Sequence, residues 1–353
     1  MHGRKIIVVT VIMIVLTGLT NARGADRKPT AYADLAAYAG ADREQILLAG
    51  AKTEGKVLWY TSLTGGPNQE IPKAFEAKYP GLKVETYRGS SNDLMAKIMA
   101  EAQAKRYLVD VIEGTLPVLR AMRDISLVMP YTSPHLAQYP AMAKEKAGKG
   151  SLYSWASVRE TYIGLGYNKN IIPALLVPKS YEDLLKPQFK GKLGFSTADT
   201  GSRVIGAMIK FKGADFLKKL KNQDIRLYAV SGRALADMVI SGEVGASPTI
   251  FRSQASASMA KGAPIGWVPM EVVPTNMGGV AISSRSSHPY GTLLLLDFIL
   301  SPEGQKILEK FGLDQPVEDA GFKRWYPEEE LTTDQYEDES TKWDKALNQI
   351  GRK

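Results

Sequence analysis

Three turns that lie between a strand-like run and a helix-like run hold most of the hydroxyl side chains suited to binding a ligand. They are residues 61–66, 88–91 and 197–203. Free backbone N–H groups and the positive end of the helix dipole meet at such turns, which favours anionic or polyoxygenated ligands. Ser and Thr are also common N-caps, so capping alone explains any single turn. Together the three turns predict a shared polar cleft, with candidate ligand-binding residues Tyr60, Thr61, Ser62, Ser90, Ser91, Thr200 and Ser202.

Arginine side chains near the same turns supply positive charge. Arg203 ends the third turn, and Arg252 follows a short apolar run. A guanidinium group can make charge-assisted, bidentate hydrogen bonds to a carboxylate or phosphonate. We therefore add Arg203 and Arg252 to the candidate ligand-binding residues. A second group of candidates comprises Arg88, Arg159 and Trp267.

Catalytic and metal-binding signatures are missing from the sequence. The 353 residues include no cysteine and three histidines, which excludes disulfides, thiolate nucleophiles and cysteine-ligated metal centres. The chain also has no GxSxG elbow, no GxxxxGK[ST] loop and no GxGxxG turn between a strand and a helix. We predict no catalytic residue, no metal ligand and no cofactor. The alternative that stays open is an exported hydrolase that uses His135 or His288.

Strand-like runs alternate with amphipathic helical runs, and these elements must position the three turns. Leu94, Ile98 and Ala102 follow helical spacing after the second turn. The alternation predicts an α/β protein with a largely parallel sheet. The last forty residues are acidic and aromatic and predict a terminal helical arm with no chemistry of its own. The strand-like runs are residues 57–60, 82–87, 108–112, 163–167, 192–195 and 280–282.

The N-terminus has the pattern of a secretory signal peptide. A short basic stretch precedes an apolar run from Ile6 to Leu16, and the small residues Ala22 and Gly24 place cleavage after Gly24. The apolar run is shorter than the roughly 20 residues that span a bilayer. Without a cysteine the mature chain has no site for an N-terminal lipid. We therefore predict a periplasmic protein that is not lipid-anchored.

The charge balance gives no sign of nucleic-acid binding. The chain has 45 basic and 37 acidic residues, and the predicted signal peptide removes three of the basic ones. The densest basic stretch, residues 210–226, interleaves apolar and basic side chains in a predicted helix. That pattern is typical of a solvated helix face rather than of a phosphate track. We predict no nucleic-acid partner.

Several blocks of sequence, in order along residues 50–312, resemble the type II extracellular solute-binding proteins of ABC importers. The nearest branch is the ferric-iron-binding-protein-like one, which also includes receptors for thiamine, polyamines and phosphonates. The blocks that carry the resemblance are KTEGKVLWY (52–60), RGSS (88–91), KGKLGF (190–195), SGEV (241–244), GGVAI (278–282), HPY (288–290) and FILSPEGQ (298–305).

The resemblance implies two α/β lobes with mixed sheets flanked by helices, joined by a two-stranded hinge, with ligand captured between the lobes. The chain would cross near residues 159–162 and return near residues 267–270. Such a protein is a monomer that catalyses nothing. It captures a small polar or anionic organic solute and delivers it to a permease in the inner membrane. The implied domains are a signal peptide (1–24), the first part of lobe one (25–160), lobe two (161–268), and the rest of lobe one with a terminal helical arm (269–353).

One departure from the family pattern bears on the ligand. Iron-binding members carry two adjacent tyrosines shortly after the segment that matches residues 241–244, and their phenolates ligate the metal. Here residues 248–252 read PTIFR, with no tyrosine. Arg252 favours an organic anion instead. Ferric iron, bound as a chelate or through other tyrosines, stays an alternative, as does an adaptor that passes its ligand to a signalling partner.

Overall fold

A computed structural model describes residues 29–64, 66–148, 150–316, 319–329 and 331–352. The predicted signal peptide and its cleavage site lie outside the described residues. The strands are β1 (Lys56–Thr61), β2 (Lys83–Arg88), β3 (Val111–Thr115), β4 (Lys144–Lys146), β5 (Tyr153–Asn168), β6 (Gly194–Ser196), β7 (Ile225–Tyr228), β8 (Ala246–Phe251), β9 (Ile265–Val268), β10 (Val273–Ile282), β11 (Arg324–Trp325) and β12 (Gly351–Arg352). The helices are α1 (Tyr32–Ala37), α2 (Arg43–Glu54), α3 (Pro67–Lys78), α4 (Ser91–Gln103), α5 (Leu116–Asp124), α6 (Asp199–Lys212), α7 (Ala214–Leu220), α8 (Gly232–Ser241), α9 (Arg252–Met259), α10 (Pro289–Leu300), α11 (Pro302–Lys310) and α12 (Thr333–Leu347).

Lobe one is built on a mixed sheet with strand order β2-β1-β3-β10-β5-β4. The strands β2, β1 and β3 are parallel, whereas β10 is antiparallel to β3 and to β5. Helix α10 packs on this sheet, and every residue from Gly291 to Leu300 is buried. A helix that is apolar all round has to be buried in a core. Its leucines form the centre of the lobe-one core together with Trp59, Phe75 and Phe298.

Strand β5 connects the two lobes. Its first part pairs with β10, and Tyr162 lies opposite Thr275 in that pairing. Its second part pairs with β8 on one side and β9 on the other. One continuous strand therefore leaves the lobe-one sheet and enters lobe two. Strand β10 runs beside it and returns the chain to lobe one.

Lobe two has its own core. The parallel strands β12, β7 and β6 form a three-stranded sheet. The predicted basic stretch, residues 210–226, is not one helix: it holds the end of α6, all of α7, a 3-10 turn and the start of β7. Helix α7 buries Phe216, Leu217 and Leu220, while its lysines face outward. This arrangement confirms a solvated helix face. The helix is separate from α6 because Gly213, at φ +81°, adopts a backbone conformation that favours glycine.

The C-terminal segment, residues 314–352, starts beside lobe one and ends in lobe two. Strand β11 pairs with β10, and β12 pairs with β7. Between them α12 packs on α6, and Trp325, Trp343 and Leu347 are buried in the lobe-two core. The predicted terminal helix is therefore present. It is an integral part of the fold.

The structure confirms a two-lobed α/β protein with mixed sheets. The largely parallel sheet predicted from the alternation of strands and helices is wrong, because β10 is antiparallel to β3 and β5, and β4 is antiparallel to β5. The predicted strands at residues 57–60, 163–167 and 280–282 lie within β1, β5 and β10. Over the residues that the structure describes, helices are either too short or too polar to cross a bilayer.

Candidate ligand-binding site

A cavity of about 310 Å³ lies between the two lobes, and we call it the cleft cavity. Lobe one contributes the start of α4 and the turn from β3 into α5. Lobe two contributes the start of α6. Strand β10 and helix α12 also contribute residues to the lining. The volume is at the small end of the range for ligand sites. The lining residues are Ser90, Ser91, Asn92, Met95, Thr115, Pro117, Val118, Asp199, Arg203, Asn276, Tyr336 and Glu337.

Two helices of lobe one direct their N-termini at the cleft cavity. Ser90 caps α4 in a capping box with Asp93. Ser91, the first residue of α4, accepts a hydrogen bond from Thr115 Oγ1 at 2.9 Å, and Thr115 is the residue before α5. The first-turn N–H groups of a helix have no partner within the helix, and they carry a partial positive charge. At the second predicted turn, Ser90 therefore both caps α4 and lines the cleft cavity.

Arg203 is the cation of the cleft cavity. Its Nε lies 2.7 Å from Asp199 Oδ2, and its Nη2 lies 2.5 Å from Glu328 Oε1. Burial alone lowers the pKa of Arg203, but the two carboxylates raise it well above its ordinary value. Its Nη1 is buried and has no hydrogen-bond partner among the described residues. One nitrogen of a buried, charged side chain at the cavity therefore lacks a hydrogen-bond acceptor, and the ring of Tyr336 lies beside the same guanidinium, 5.7 Å from its carbon.

Two polar atoms beside Arg203 also have no partner within the described part of the chain. They are the hydroxyl of Thr200, in the first turn of α6, and the amide oxygen of Asn276, on β10. Unpartnered polar atoms are costly when buried. Asn276 lines the cleft cavity, so a polar ligand there would reduce that cost at its amide oxygen, whereas Thr200 is not one of the lining residues.

The first predicted turn forms a closed network of its own. Thr61 Oγ1 and Ser62 Oγ both donate to Glu113 Oε2, at 2.9 and 3.0 Å. Arg159 Nε donates to the other oxygen of Glu113 at 2.8 Å, and its Nη2 donates to Ser62 at 3.0 Å. Thr61, Glu113 and Arg159 are buried, Ser62 is partly buried, and the four side chains are hydrogen-bonded to one another. The turn thus joins β1, β3 and β5 and does not line the cleft cavity.

Tyr60 likewise binds a protein group. Its hydroxyl donates to Glu101 Oε1 at 2.7 Å, and burial together with this bond raises its pKa. Lys97 lies over the rings of Tyr60 and Tyr87, with its Nζ 5.3 and 4.8 Å from the ring centroids. None of these side chains lines the cleft cavity.

The remaining candidates are also engaged elsewhere. Arg252 Nη2 lies 2.5 Å from Asp314 Oδ1, and its guanidinium carbon lies 4.6 Å from the centroid of the Tyr162 ring. Ser202 donates to Asp344, and Trp267 Nε1 donates to the backbone oxygen of Ile250 at 3.0 Å. Arg88 is exposed at the end of the edge strand β2. The structure therefore brings Ser90, Ser91 and Arg203 together at one cavity, with Thr200 next to Arg203, and separates them from the others.

Sequence reasoning missed several residues of the cleft cavity. Thr115 stands between a strand and a helix, as Ser90 does, and that signal was available in the sequence. Asn276 lies in mid-strand, where nothing distinguishes it. Tyr336 and Glu337 lie in the terminal helix, which had been assigned no chemistry. Glu328, 3% exposed, reaches Arg203 from 125 residues away.

Among the described residues, the neighbours of His288 do not form a Ser-His-Asp triad. His288 Nδ1 lies 2.7 Å from Asp110 Oδ2, and Ser286 Oγ donates to the other oxygen of the same carboxylate at 2.7 Å. The serine therefore bonds to the acid and not to the ring that would have to activate it. His288 precedes α10, as expected for a residue that starts a helix. Within the described residues, no three side chains of His, Asp or Glu are grouped to hold a metal ion.

Comparison with known proteins identifies the family. Residues 70–313 match the model of the bacterial extracellular solute-binding proteins. An uncharacterized protein of Haemophilus influenzae is 27% identical over 274 residues, which are 74% of this chain and 78% of that protein.

Two solved structures show the same fold. The iron-bound HitA of Pseudomonas aeruginosa has a TM-score of 0.65 at 23% identity, over 83% of this chain and 99% of HitA. AfuA of Actinobacillus pleuropneumoniae, with fructose-6-phosphate bound, has a TM-score of 0.64 at 23% identity, over 84% of this chain and 99% of AfuA. The family match covers most of the chain and confirms the resemblance seen in the sequence. The chain belongs to the bacterial extracellular solute-binding protein family.

Proposed function

We propose that this protein captures a small polar organic solute in the cleft cavity and delivers it to the permease of an ABC importer in the inner membrane. Closure of two lobes on a ligand hides the ligand from water and presents a single closed surface to a membrane partner. The pair β5 and β10 connects the lobes beside the cleft cavity and is the natural hinge. The protein then works in the periplasm as a monomer, after cleavage behind Gly24 and without a lipid anchor.

One observation carries the ligand assignment. Arg203 is buried beside the cleft cavity and retains an unpartnered Nη1, while the starts of α4 and α5 face the same space. A guanidinium N–H and helix N-terminal N–H groups are the donors that bind an acidic oxygen well. We therefore propose that the solute carries an acid group. No chemical change of the solute is needed for this role, and we propose none.

No observation on the described residues favours iron over an organic solute. Residues 248–252, in the stretch where the family's iron-binding members carry two tyrosines, include no tyrosine, and Arg252 is paired with Asp314. HitA binds iron on the same fold, and AfuA binds a sugar phosphate. The fold alone therefore does not choose between these ligands. The first experiment therefore tests the protein with both iron and organic solutes.

The experiment is a thermal-shift screen of the mature chain, beginning at Ala25, against organic acids, amino acids, phosphonates, polyamines, thiamine, ferric salts and ferric citrate. A ligand at a hundred times its Kd adds about 2.7 kcal/mol to the unfolding free energy. We expect an organic acid or amino acid to raise the melting temperature. Stabilisation by ferric iron alone would contradict the proposal, as would the absence of any stabilising solute.

A matched pair of variants then locates the site. Asn92 lines the cleft cavity near the start of α4, whereas Gln103 is exposed at the far end of the same helix. We expect Asn92→Trp to fill the cavity and weaken solute binding by about a hundredfold, or about 2.8 kcal/mol. Gln103→Trp should leave the affinity unchanged. Equal affinities in isothermal titration calorimetry would place the ligand elsewhere.

A further inference from the structure

The charges around the cleft cavity do not suit a simple anion. Among the described residues that line it, Arg203 is positive, whereas Asp199 and Glu337 are negative. Glu328 adds a third carboxylate, which accepts a hydrogen bond from Arg203 but does not line the cavity. Clefts lined by one sign of charge attract ligands of the opposite sign and repel others. An acid without a positive group would meet more carboxylates than cations.

The positive and negative groups of the cavity lie at different depths. The side chain of Arg203 is 4% exposed, whereas that of Asp199 is 58% exposed, and Glu337 is exposed on α12. The unpartnered Nη1 of Arg203 is therefore inside, and the carboxylates of Asp199 and Glu337 stand at the rim. Glu337 makes no ion pair with any residue that the structure describes. Its charge is available to a ligand.

The lining also holds an acceptor that needs a donor. The amide oxygen of Asn276 is buried and has no partner within the described chain. An acid group cannot satisfy it, because an ionised acid offers no N–H or O–H. An ammonium group can, since it carries three donors. The donor requirement and the excess of carboxylates point to the same chemical group.

We infer that the solute is a small zwitterion. Its acid group lies against Arg203 Nη1 and the starts of α4 and α5, and its ammonium group lies within reach of Asp199, Glu337 and Asn276. This inference rests on the proposed function and adds the positive group to it. A cavity of about 310 Å³ accommodates a short aminoalkyl acid.

The rim carboxylate of α12 then sets specificity. The family match ends at residue 313, and Glu337 lies beyond it. The part of the cavity contributed by the matched residues offers Arg203 with Asp199, whose Oδ2 is already bonded to the guanidinium. Selection for the ammonium group thus depends on a residue supplied by the C-terminal segment.

The test compares matched ligands by isothermal titration calorimetry. The zwitterions are glycine, β-alanine, 4-aminobutyrate and 5-aminopentanoate, together with the aminoalkylphosphonates of two to four carbons. Each is paired with the acid that lacks the amine and with the amine that lacks the acid. We expect at least one zwitterion to bind about tenfold more tightly than both of its partners. The length of the carbon chain in the zwitterion that binds best indicates the distance between the two charged subsites.

A matched pair of variants tests the rim carboxylate. Glu337→Gln removes the charge, and Asp338→Asn removes the neighbouring exposed charge, which does not line the cavity. We expect Glu337→Gln to reduce the preference for the zwitterion over its amine-free acid by about threefold, as for an exposed ion pair. Asp338→Asn should retain the preference.

Several outcomes would overturn the inference. One is equal binding of a zwitterion and its amine-free acid, which leaves the receptor function intact. Another is an unchanged preference in Glu337→Gln. A third is that no zwitterion binds. If the broad solute screen nevertheless finds a ligand, only the zwitterion inference fails, whereas a screen without any ligand removes the proposed function too.

Discussion

At the scale of residues, the arginines show how strongly burial constrains charge. Arg159 pairs with Glu113, Arg203 with Asp199 and Glu328, and Arg252 with Asp314. A buried charge without a partner is costly, so a fold that buries arginine must bring a carboxylate to it. Arginine in a turn is therefore weak support for an anion site. Of these three arginines, Arg203 keeps that role, because it has an unpartnered nitrogen and lines the cleft cavity.

The environment of His135 predicts that the stability of the protein depends on pH. It is half-buried in lobe one, and burial lowers its pKa against the raising effects of Asp297 and Glu44, while Lys78 lowers it further. The unfolded chain therefore binds the proton more readily. Stability should fall as the pH drops through the unfolded value of about 6.5 and level off below the folded pKa.

The check is urea denaturation of the wild type and His135→Gln at pH 7.5 and 5.0. The variant should lose the part of the pH dependence that His135 contributes, so its two unfolding free energies should differ less than those of the wild type. An equal or larger difference in the variant would show that other groups control stability over this range.

At the scale of elements, α6 is the contact between the cleft cavity and the C-terminal segment. Its first turn carries Asp199, Thr200 and Arg203, and its later face packs on α12. The helices approach closely because Gly206 has no side chain. A Cβ at that position would lie 2.7 Å from Trp343 Cδ2. This glycine sets how near α12 lies to the cavity.

We expect Gly206→Ala to push α12 away from α6 and to lower the free energy of unfolding by about 1–3 kcal/mol, the usual cost of overpacking. Limited proteolysis should cut the C-terminal segment faster in the variant. Gly232→Ala is the control, since the tightest contact of a Cβ there is the flexible end of Gln254, at 3.2 Å, and the backbone oxygen of Thr249 lies at an ordinary contact distance of 3.6 Å. Wild-type stability and proteolysis in Gly206→Ala would mean that the helix pair tolerates the methyl group without moving.

At the scale of the whole molecule, Glu328 connects the lobes. Its backbone oxygen accepts from Arg120 Nη1, on α5 of lobe one, at 2.5 Å. Its carboxylate accepts from Arg203 Nη2, on α6 of lobe two, at 2.5 Å. Asp314 makes a second connection, with backbone bonds to Glu160 and an ion pair with Arg252. The C-terminal segment therefore opposes separation of the lobes.

Glu328→Gln should weaken that connection. A hydrogen bond to a charged group contributes about 2 kcal/mol, and Asp199 still compensates Arg203, so we expect a loss of about that size in unfolding free energy. Small-angle X-ray scattering should show a larger radius of gyration for the ligand-free variant. Glu329→Gln, at the exposed neighbour, is the control. An unchanged radius would show that the lobes are held together by other contacts.

The sequence by itself determined the class of fold and the family. Strand and helix periodicities and N-caps are local properties, and the ordered blocks identified the solute-binding proteins. Local patterns also placed Ser90 at a helix start and Phe216, Leu217 and Leu220 on a buried face. These features depend on residues a few positions apart, so a single sequence reveals them.

Only the tertiary structure decided which turns meet. Thr61 and Ser62 look like ligand-binding residues in sequence, yet their hydroxyls are hydrogen-bonded to Glu113, and Ser62 also accepts from Arg159. Arg203 meets Glu328, and α12 forms a cavity wall, because the chain returns across both lobes after its family-like part ends. The hydrogen bonds named here join residues that are 51 to 125 positions apart. Periodicity carries no information about them, since they arise from packing of the finished lobes.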